Sequence, residues 1–238
     1  MTASHRKEGR PEAGSRRLAR FGVLATAAVG TVATIGGVAQ AVTVGGGTYT
    51  NSNGVAVAED HTFALSNPQN QTSFKDSFTV HQAGSVDAAY LHNEATAESV
   101  SCSPDAPCHS VSLSFQIVTM AGTDIHLSAN NYSNAVNEHC AGCQTVAGAY
   151  QFVVDTPGAF TLSKTAMKQL DEIHHELNAL NNSSLSADQV QSAADALALK
   201  VAAILKNAAA TTPEGPVMQP LTKSFTPSVR IYRDFQQH

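Results

Sequence analysis

The chain has 238 residues, with 14 Lys and Arg against 19 Asp and Glu, and 42% hydrophobic residues. That length suits one core-forming domain with short extensions. The acidic balance excludes nucleic acid and anionic membrane surfaces as partners held by counterion release.

Residues 1–41 read as an export signal. The first part is basic, with Arg6, Lys7, Arg10, Arg16, Arg17 and Arg20. The apolar run FGVLATAAVGTVATIGGVAQA follows and ends in Ala39-Gln40-Ala41, an A-x-A cleavage pattern. Cleavage after Ala41 gives a secreted or envelope protein. The alternative is a chain anchored by uncleaved residues 21–41, a weakly apolar stretch almost long enough to span a bilayer. Residues 15–20, SRRLAR, partly match a twin-arginine motif but lack the apolar pair after the arginines, so both export routes stay open. The segment holds those six basic residues and two acidic ones, Glu8 and Glu12; 8 basic and 17 acidic residues remain, a net charge of −9.

Residues 42–73 are rich in Gly, Ser, Thr and Asn. They are expected to form a flexible leader, with one edge strand at 55–58. Gly45, Gly46 and Gly47 lack the following helix that a phosphate site needs. Residues 74–160 are strand-like. FKDSFTV and VSLSFQIV alternate with period two, placing Val111, Leu113, Phe115 and Ile117 on one face and Ser112, Ser114 and Gln116 on the other. That is the pattern of a half-buried antiparallel strand.

This region matches itself at an offset of 35 residues. Cys108 aligns with Cys143, Val111 with Val146, Phe115 with Tyr150, Gln116 with Gln151, and Ile117-Val118 with Phe152-Val153. Upstream, Cys102 takes the place of Cys140, with CSPDAPC in the first copy against CAGC in the second. The expected unit is a hairpin whose turn is closed by cysteines, with Pro104, Asp105 and Pro107 in one turn and Gly142 in the other. An exported chain with an even cysteine count favours disulfides. Three pairings are open. Cys102–Cys108 with Cys140–Cys143 is favoured, because each copy is then self-contained. Loop-closure entropy for such small rings is roughly 2 kcal/mol each, enough to staple a turn but not to hold a domain.

Residues 161–208 read as an antiparallel helical hairpin. Ser163 caps a first helix with the stripe Met167, Leu170, Ile173, Leu177 and Leu180. NNSSLS breaks it. Ser186 and Gln189 form a capping box for a second helix with the stripe Val190, Ala194, Leu197, Val201, Ile204 and Leu205. Residues 209–238 contain Pro213, Pro216, Pro220 and Pro227 and are expected as an extended tail whose end, SVRIYRDF, pairs as a strand or docks on a partner.

CHSVSLSFQIV, then NAVNEHCAGCQTVAGAYQFVV, then a helix opening with LS, resembles a family of secreted or membrane-associated proteins of filamentous Gram-positive soil bacteria. Its members carry two cysteine-pair hairpins with F-Q and Y-Q strands and a following helical segment. The resemblance covers roughly residues 85–205, and its most specific positions are Cys140, Cys143, Gln144, Thr145, Ala149, Tyr150 and Gln151. It implies kinship with modules found beside peptide zinc metalloprotease-like membrane proteins, and no settled activity. The C-x5-C of the first copy departs from the family's shorter spacing.

Four chemistries bear on these residues. A structural disulfide pair is the leading reading of the cysteines. Thiol–disulfide exchange at Cys140 and Cys143 lacks the helix N-terminus that lowers a thiol pKa. A four-thiolate zinc site at Cys102, Cys108, Cys140 and Cys143, with His109 and His139 adjacent, is the alternative metal reading. Proteolysis fails on HHELNA (residues 174–179), because Ala179 stands where H-E-x-x-H needs its second His. His174, His175 and Glu176 are then expected on the polar flank of the helix, and Asp171 and Glu172 on its surface. His61, His81, His92, His109, His126 and His139 are expected on exposed strands or loops. The lack of Trp argues against an aromatic sugar-binding platform.

These readings combine into an α+β domain: a small antiparallel sheet of two duplicated hairpins covered by a helical hairpin. The expected function is that of an exported, non-catalytic structural or interaction module without cofactor. Its Ser/Thr/Gln strand face, edge strands and tail are candidate contacts for an envelope or membrane protein. The rival readings are redox exchange, zinc binding, and an accessory role in a membrane peptide zinc metalloprotease system. No small-molecule substrate can be named.

Overall fold

The computed structural model describes residues 42–44, 47–158, 160–182, 184–210 and 227–238. The expected signal at 1–41 and residues 211–226 of the expected tail lie outside the described residues. In chain order the elements are β1 (Val42–Val44), β2 (Gly47–Ser52), β3 (Val55–Ser66), β4 (Thr72–Ser85), β5 (Ala88–Val100), β6 (His109–Ala121), β7 (His126–Glu138), β8 (Gln144–Thr156), α1 (Lys164–Ala179), α2 (Ala187–Ala210) and β9 (Ser228–Gln237), with a short 3-10 turn at Leu180–Asn182 between the helices.

The strands form two mixed sheets, ordered β1-β4-β6-β8-β9 and β2-β3-β5-β7. In the first, β4, β6 and β8 are parallel; in the second, β3, β5 and β7 are parallel. The chain therefore changes sheet after each of these strands, and every coil contributes one strand to each sheet. This overturns the expected small antiparallel sheet of hairpins. The cysteine turn between β5 and β6 joins strands of different sheets, as does the turn between β7 and β8. Period-two alternation reports which faces of a strand are buried and says nothing about the direction of its neighbours. Burial on both faces, seen along β6 and β8, is the signature of central parallel strands.

The 35-residue offset is the register of the β6–β8 pair. Val111 lies beside Val146, Phe115 beside Tyr150, Gln116 beside Gln151 and Ile117 beside Phe152. A coiled chain lays corresponding residues side by side, so like stacks on like. On the outer face of the five-stranded sheet, Phe78, Phe115 and Tyr150 form an aromatic ladder with ring centroids 5.9 and 4.5 Å apart.

That outer face is the main apolar core, because the helices lie on it. Val111, Leu113, Phe115 and Ile117 meet Leu170, Ile173 and Leu177 of α1 and Val190, Leu197, Val201 and Leu205 of α2 there. Both helices start as the sequence predicts. The Ser163 hydroxyl accepts from the Ala166 N–H at 3.1 Å, and the Ser186 N–H donates to Gln189 Oε1 at 2.9 Å.

The space between the sheets is different. It is lined by small residues, Ala56, Ala58, Ala64, Ala89, Ala95, Ala97, Ala147 and Ala149 among them. Ser112, Ser114 and Gln116 point into it and are fully buried, so the expected exposed Ser/Thr/Gln face does not exist on β6.

Most of the expected flexible leader is strand. β2 and β3 pair antiparallel through a two-residue turn, with Ser52 opposite Val55. Asn53 and Gly54 both take positive φ, 51° and 76°, as a hairpin turn of that length demands. The end of the expected tail, β9, pairs antiparallel with β8 and closes the sheet edge.

Candidate functional site

The sequence-predicted cysteines meet at one end of the coils. Cys102 is bonded to Cys108 and Cys140 to Cys143, with Cα separations of 5.9 and 5.6 Å. Cys108 and Cys143 immediately precede the paired residues His109 and Gln144, so the two turns stack and all four sulfurs lie within 4.8 Å of one another. The Cys108 N–H donates to Cys143 Sγ at 3.1 Å. Both turns open on a residue in the left-handed region, Ser101 and His139, and the shorter needs Gly142 at φ 80°. Each second cysteine runs into a strand, so no helix dipole is available to activate a thiolate. His109 is beside this cluster, half-buried, and burial pushes its imidazole below its ordinary pKa.

A second cluster lies between the sheets, where sequence reasoning placed nothing. Asp60 of β3 faces Thr79, His81 and Gln116 of the opposite sheet. Its Oδ2 accepts from the Thr79 hydroxyl at 2.8 Å and from Gln116 Nε2 at 2.6 Å, and lies 3.2 Å from His81 Nε2. Gln151 Nε2 donates to Gln116 Oε1 at 2.8 Å. Next along the strands, Ser114 donates to Asn93 Oδ1 at 2.6 Å and Asn93 Nδ2 to Asn131 Oδ1 at 2.8 Å. Asp60, Thr79, His81, Gln116 and Gln151 are each no more than 1% exposed. Gly47, opposite Asp60 in the β2–β3 ladder, makes this fit: a Cβ there would collide with the Asp60 carboxylate. The signal available in the sequence was the polar residue recurring at one register, Thr79, Gln116 and Gln151 in one sheet and Asp60, Asn93 and Asn131 in the other.

The third feature is the outer face of the four-stranded sheet, which no described element covers. Phe63, Tyr90 and Tyr132 stand on it at 43%, 46% and 44% exposure, with Leu65 and Val136 nearby. Glu59, Glu94 and Glu98 share the face, and Glu94 lies 3.7 Å from His61 Nε2 and 3.3 Å from His92 Nε2. β2, β3, β5 and β7 contain no Lys or Arg. The described basic residues are all on β4, the helices and β9.

Two histidines expected at the surface are buried, and His109, also expected there, is half-buried. His81 is fully buried and stacks on Tyr49 with centroids 5.1 Å apart. His174 is buried too: its Nε2 lies 3.1 Å from Asp76 Oδ2 and its ring stacks on Phe78. It is a packing residue between α1 and the sheet. His175 and Glu176 are exposed as expected, beside Asp171 and Lys200. Two shallow clefts of about 260 and 350 Å³ lie at the end of the coils away from the cysteines, around Gly122, Thr123 and Asp124. Their linings hold no His or Cys.

Compared with protein-family models, curated proteins and solved structures, the chain has no match. Function therefore rests on the site geometry. Two disulfides fit an oxidising, extracytoplasmic compartment. Among the described residues, no helix is long and apolar enough to cross a membrane.

Proposed function

We propose that the chain is an exported, non-catalytic interaction module of the cell envelope or medium, released by cleavage after Ala41. Its uncovered four-stranded sheet is the recognition face, and its occupant is a protein surface rich in Lys and Arg. The observation that carries this reading is the composition of that face: exposed Phe63, Tyr90 and Tyr132 among Glu59, Glu94 and Glu98, on four strands without Lys or Arg. Apolar groups in an acidic setting supply contact area and steer a cationic partner. The helices pack on the far face of the five-stranded sheet, and the disulfides close two turns at one end of the coils.

The test compares immobilised wild type with a Phe63→Ser/Tyr90→Ser/Tyr132→Ser variant of unchanged circular dichroism. Both are exposed to envelope extract at rising salt. The expected result is a set of Lys- and Arg-rich proteins held by the wild type, lost by the variant, and released by salt. Equal retention by both overturns the reading. The N-terminus of the exported protein checks the cleavage.

One observation favours a second reading. Four sulfurs within 4.8 Å of one another are compact enough for a tetrahedral four-thiolate zinc site once both bonds are reduced. Native mass spectrometry after phosphine reduction and zinc addition decides it: one tightly held zinc supports that reading, and none removes it.

A further inference from the structure

We propose that Thr79 and Gln116 become joined by an intramolecular ester, formed by the fold itself at the buried Asp60. The two residues are direct neighbours on the parallel strands β4 and β6. Their side chains converge on one atom, because Thr79 Oγ1 and Gln116 Nε2 both donate to Asp60 Oδ2, at 2.8 and 2.6 Å. Each part of an acyl transfer is present around them.

The Thr79 hydroxyl is the nucleophile, and Asp60 is the base holding its proton. The Gln116 carboxamide is the acyl group. Its Oε1 receives the Gln151 Nε2–H at 2.8 Å, a donor already aimed at the oxygen on which negative charge develops. In the step, Thr79 Oγ bonds to Gln116 Cδ and its proton passes to Asp60. The Cδ–Nε2 bond then breaks, and the nitrogen leaves as ammonia carrying that proton. Hydroxyl plus carboxamide gives ester plus ammonia, so no oxidant, reductant or other reagent is needed. His81 Nε2, 3.2 Å from Asp60 Oδ2, orients the carboxylate.

The contacts within this cluster are uneven. Asp60 Oδ2 gathers three partners while Oδ1 has none, and His81 Nδ1 and Gln151 Oε1 have none. The leaving nitrogen donates to the His92 carbonyl at 2.9 Å as well as to Asp60 Oδ2 at 2.6 Å, which fixes the carboxamide beside Thr79. With every participant at most 1% exposed, water is kept from the product, so an ester can persist there. The bond would tie two neighbouring coils covalently, and reductants would not open it.

Peptide mapping of the purified full chain tests this. Lys75 and Lys164 are consecutive trypsin sites, so one tryptic peptide contains both residues. After reduction and alkylation, cleavage at Glu94, Glu98 and Glu138 separates the fragment with Thr79 from the fragment with Gln116 unless they are joined. The expected product is the joined pair, lighter by one ammonia, and opened by hydroxylamine. Thr79→Val should yield the two separate fragments. Separate fragments at their sequence masses from the wild type overturn the proposal, as does a joined product that persists in Thr79→Val. Should that variant fail to fold, the wild-type digest and its hydroxylamine sensitivity decide alone.

Discussion

The Tyr150 hydroxyl donates to Asp195 Oδ1 at 2.9 Å, from the end of the buried aromatic ladder to the surface of α2. Arg233 of β9 grips the same carboxylate through Nε at 2.6 Å and Nη2 at 2.9 Å. One side-chain chain thus ties β8, α2 and β9 together. Burial, then the Asp195 charge, pushes the Tyr150 phenol above its ordinary pKa of 10.0. The unfolded chain ionises near the ordinary value while the fold keeps the proton. Stability from this group is therefore present below pH 10 and lost as pH rises above it. Tyrosinate absorbance during an alkaline titration should show one group appearing only with unfolding. Tyr150→Phe should remove that step and cost about 1 kcal/mol at neutral pH, since Asp195 keeps Arg233.

The disulfides should matter locally. Each closes a small ring, Cys140–Cys143 over a separation of 3 residues and Cys102–Cys108 over 6. Replacing Cys140 and Cys143 by Ser should cost roughly 2 kcal/mol in denaturant unfolding, with the transition still cooperative. Collapse of the fold would mean that the staples hold the coils together.

Local structure was legible in this sequence and the neighbours of each strand were not. The stripes of α1 and α2, the caps at Ser163 and Ser186, and the faces of residues 111–117 follow from periodicity, which is a property of one segment. Both partners of β6 are distant in sequence and parallel, β8 at an offset of 35 residues, and alternation carries no such information. The clue to it was the match of Phe115-Gln116 to Tyr150-Gln151: a coil stacks corresponding positions. The strands of residues 47–66 are announced by Asn53-Gly54, a two-residue hairpin signal masked by its Gly- and Asn-rich context. The cysteine pairs were legible from their even count and their spacing. The Asp60 cluster was not, because its members come from four strands and meet only when the sheets face each other.

His109 gives a prediction at acid pH. Burial lowers its pKa from 6.5, and its Nε2 has no hydrogen-bond partner. Below pH 6.5 the unfolded chain binds a proton that the fold resists, so stability is full above that pH and falls as the pH drops below it. His109→Gln should flatten that part of the stability–pH curve relative to wild type. Parallel curves for the two proteins would show that the half-buried ring is protonated without cost.

Two glycines separate backbone strain from crowding. Gly142 sits at φ 80° with nothing within 4 Å of an added Cβ, so Gly142→Ala meets only the left-handed penalty, about 1 kcal/mol. Gly54 sits at φ 76°, and the Asp87 carboxylate stands where its Cβ would go. The carbonyl of Gly54 also accepts from the N–H groups of Asp87 and Ala88, at 2.7 and 3.2 Å. Gly54→Ala must therefore strain the turn and displace Asp87, and should destabilise clearly more than Gly142→Ala in the same denaturant series. Equal losses would mean that the Asp87 side chain swings aside freely, leaving the hairpin turn alone to set the cost.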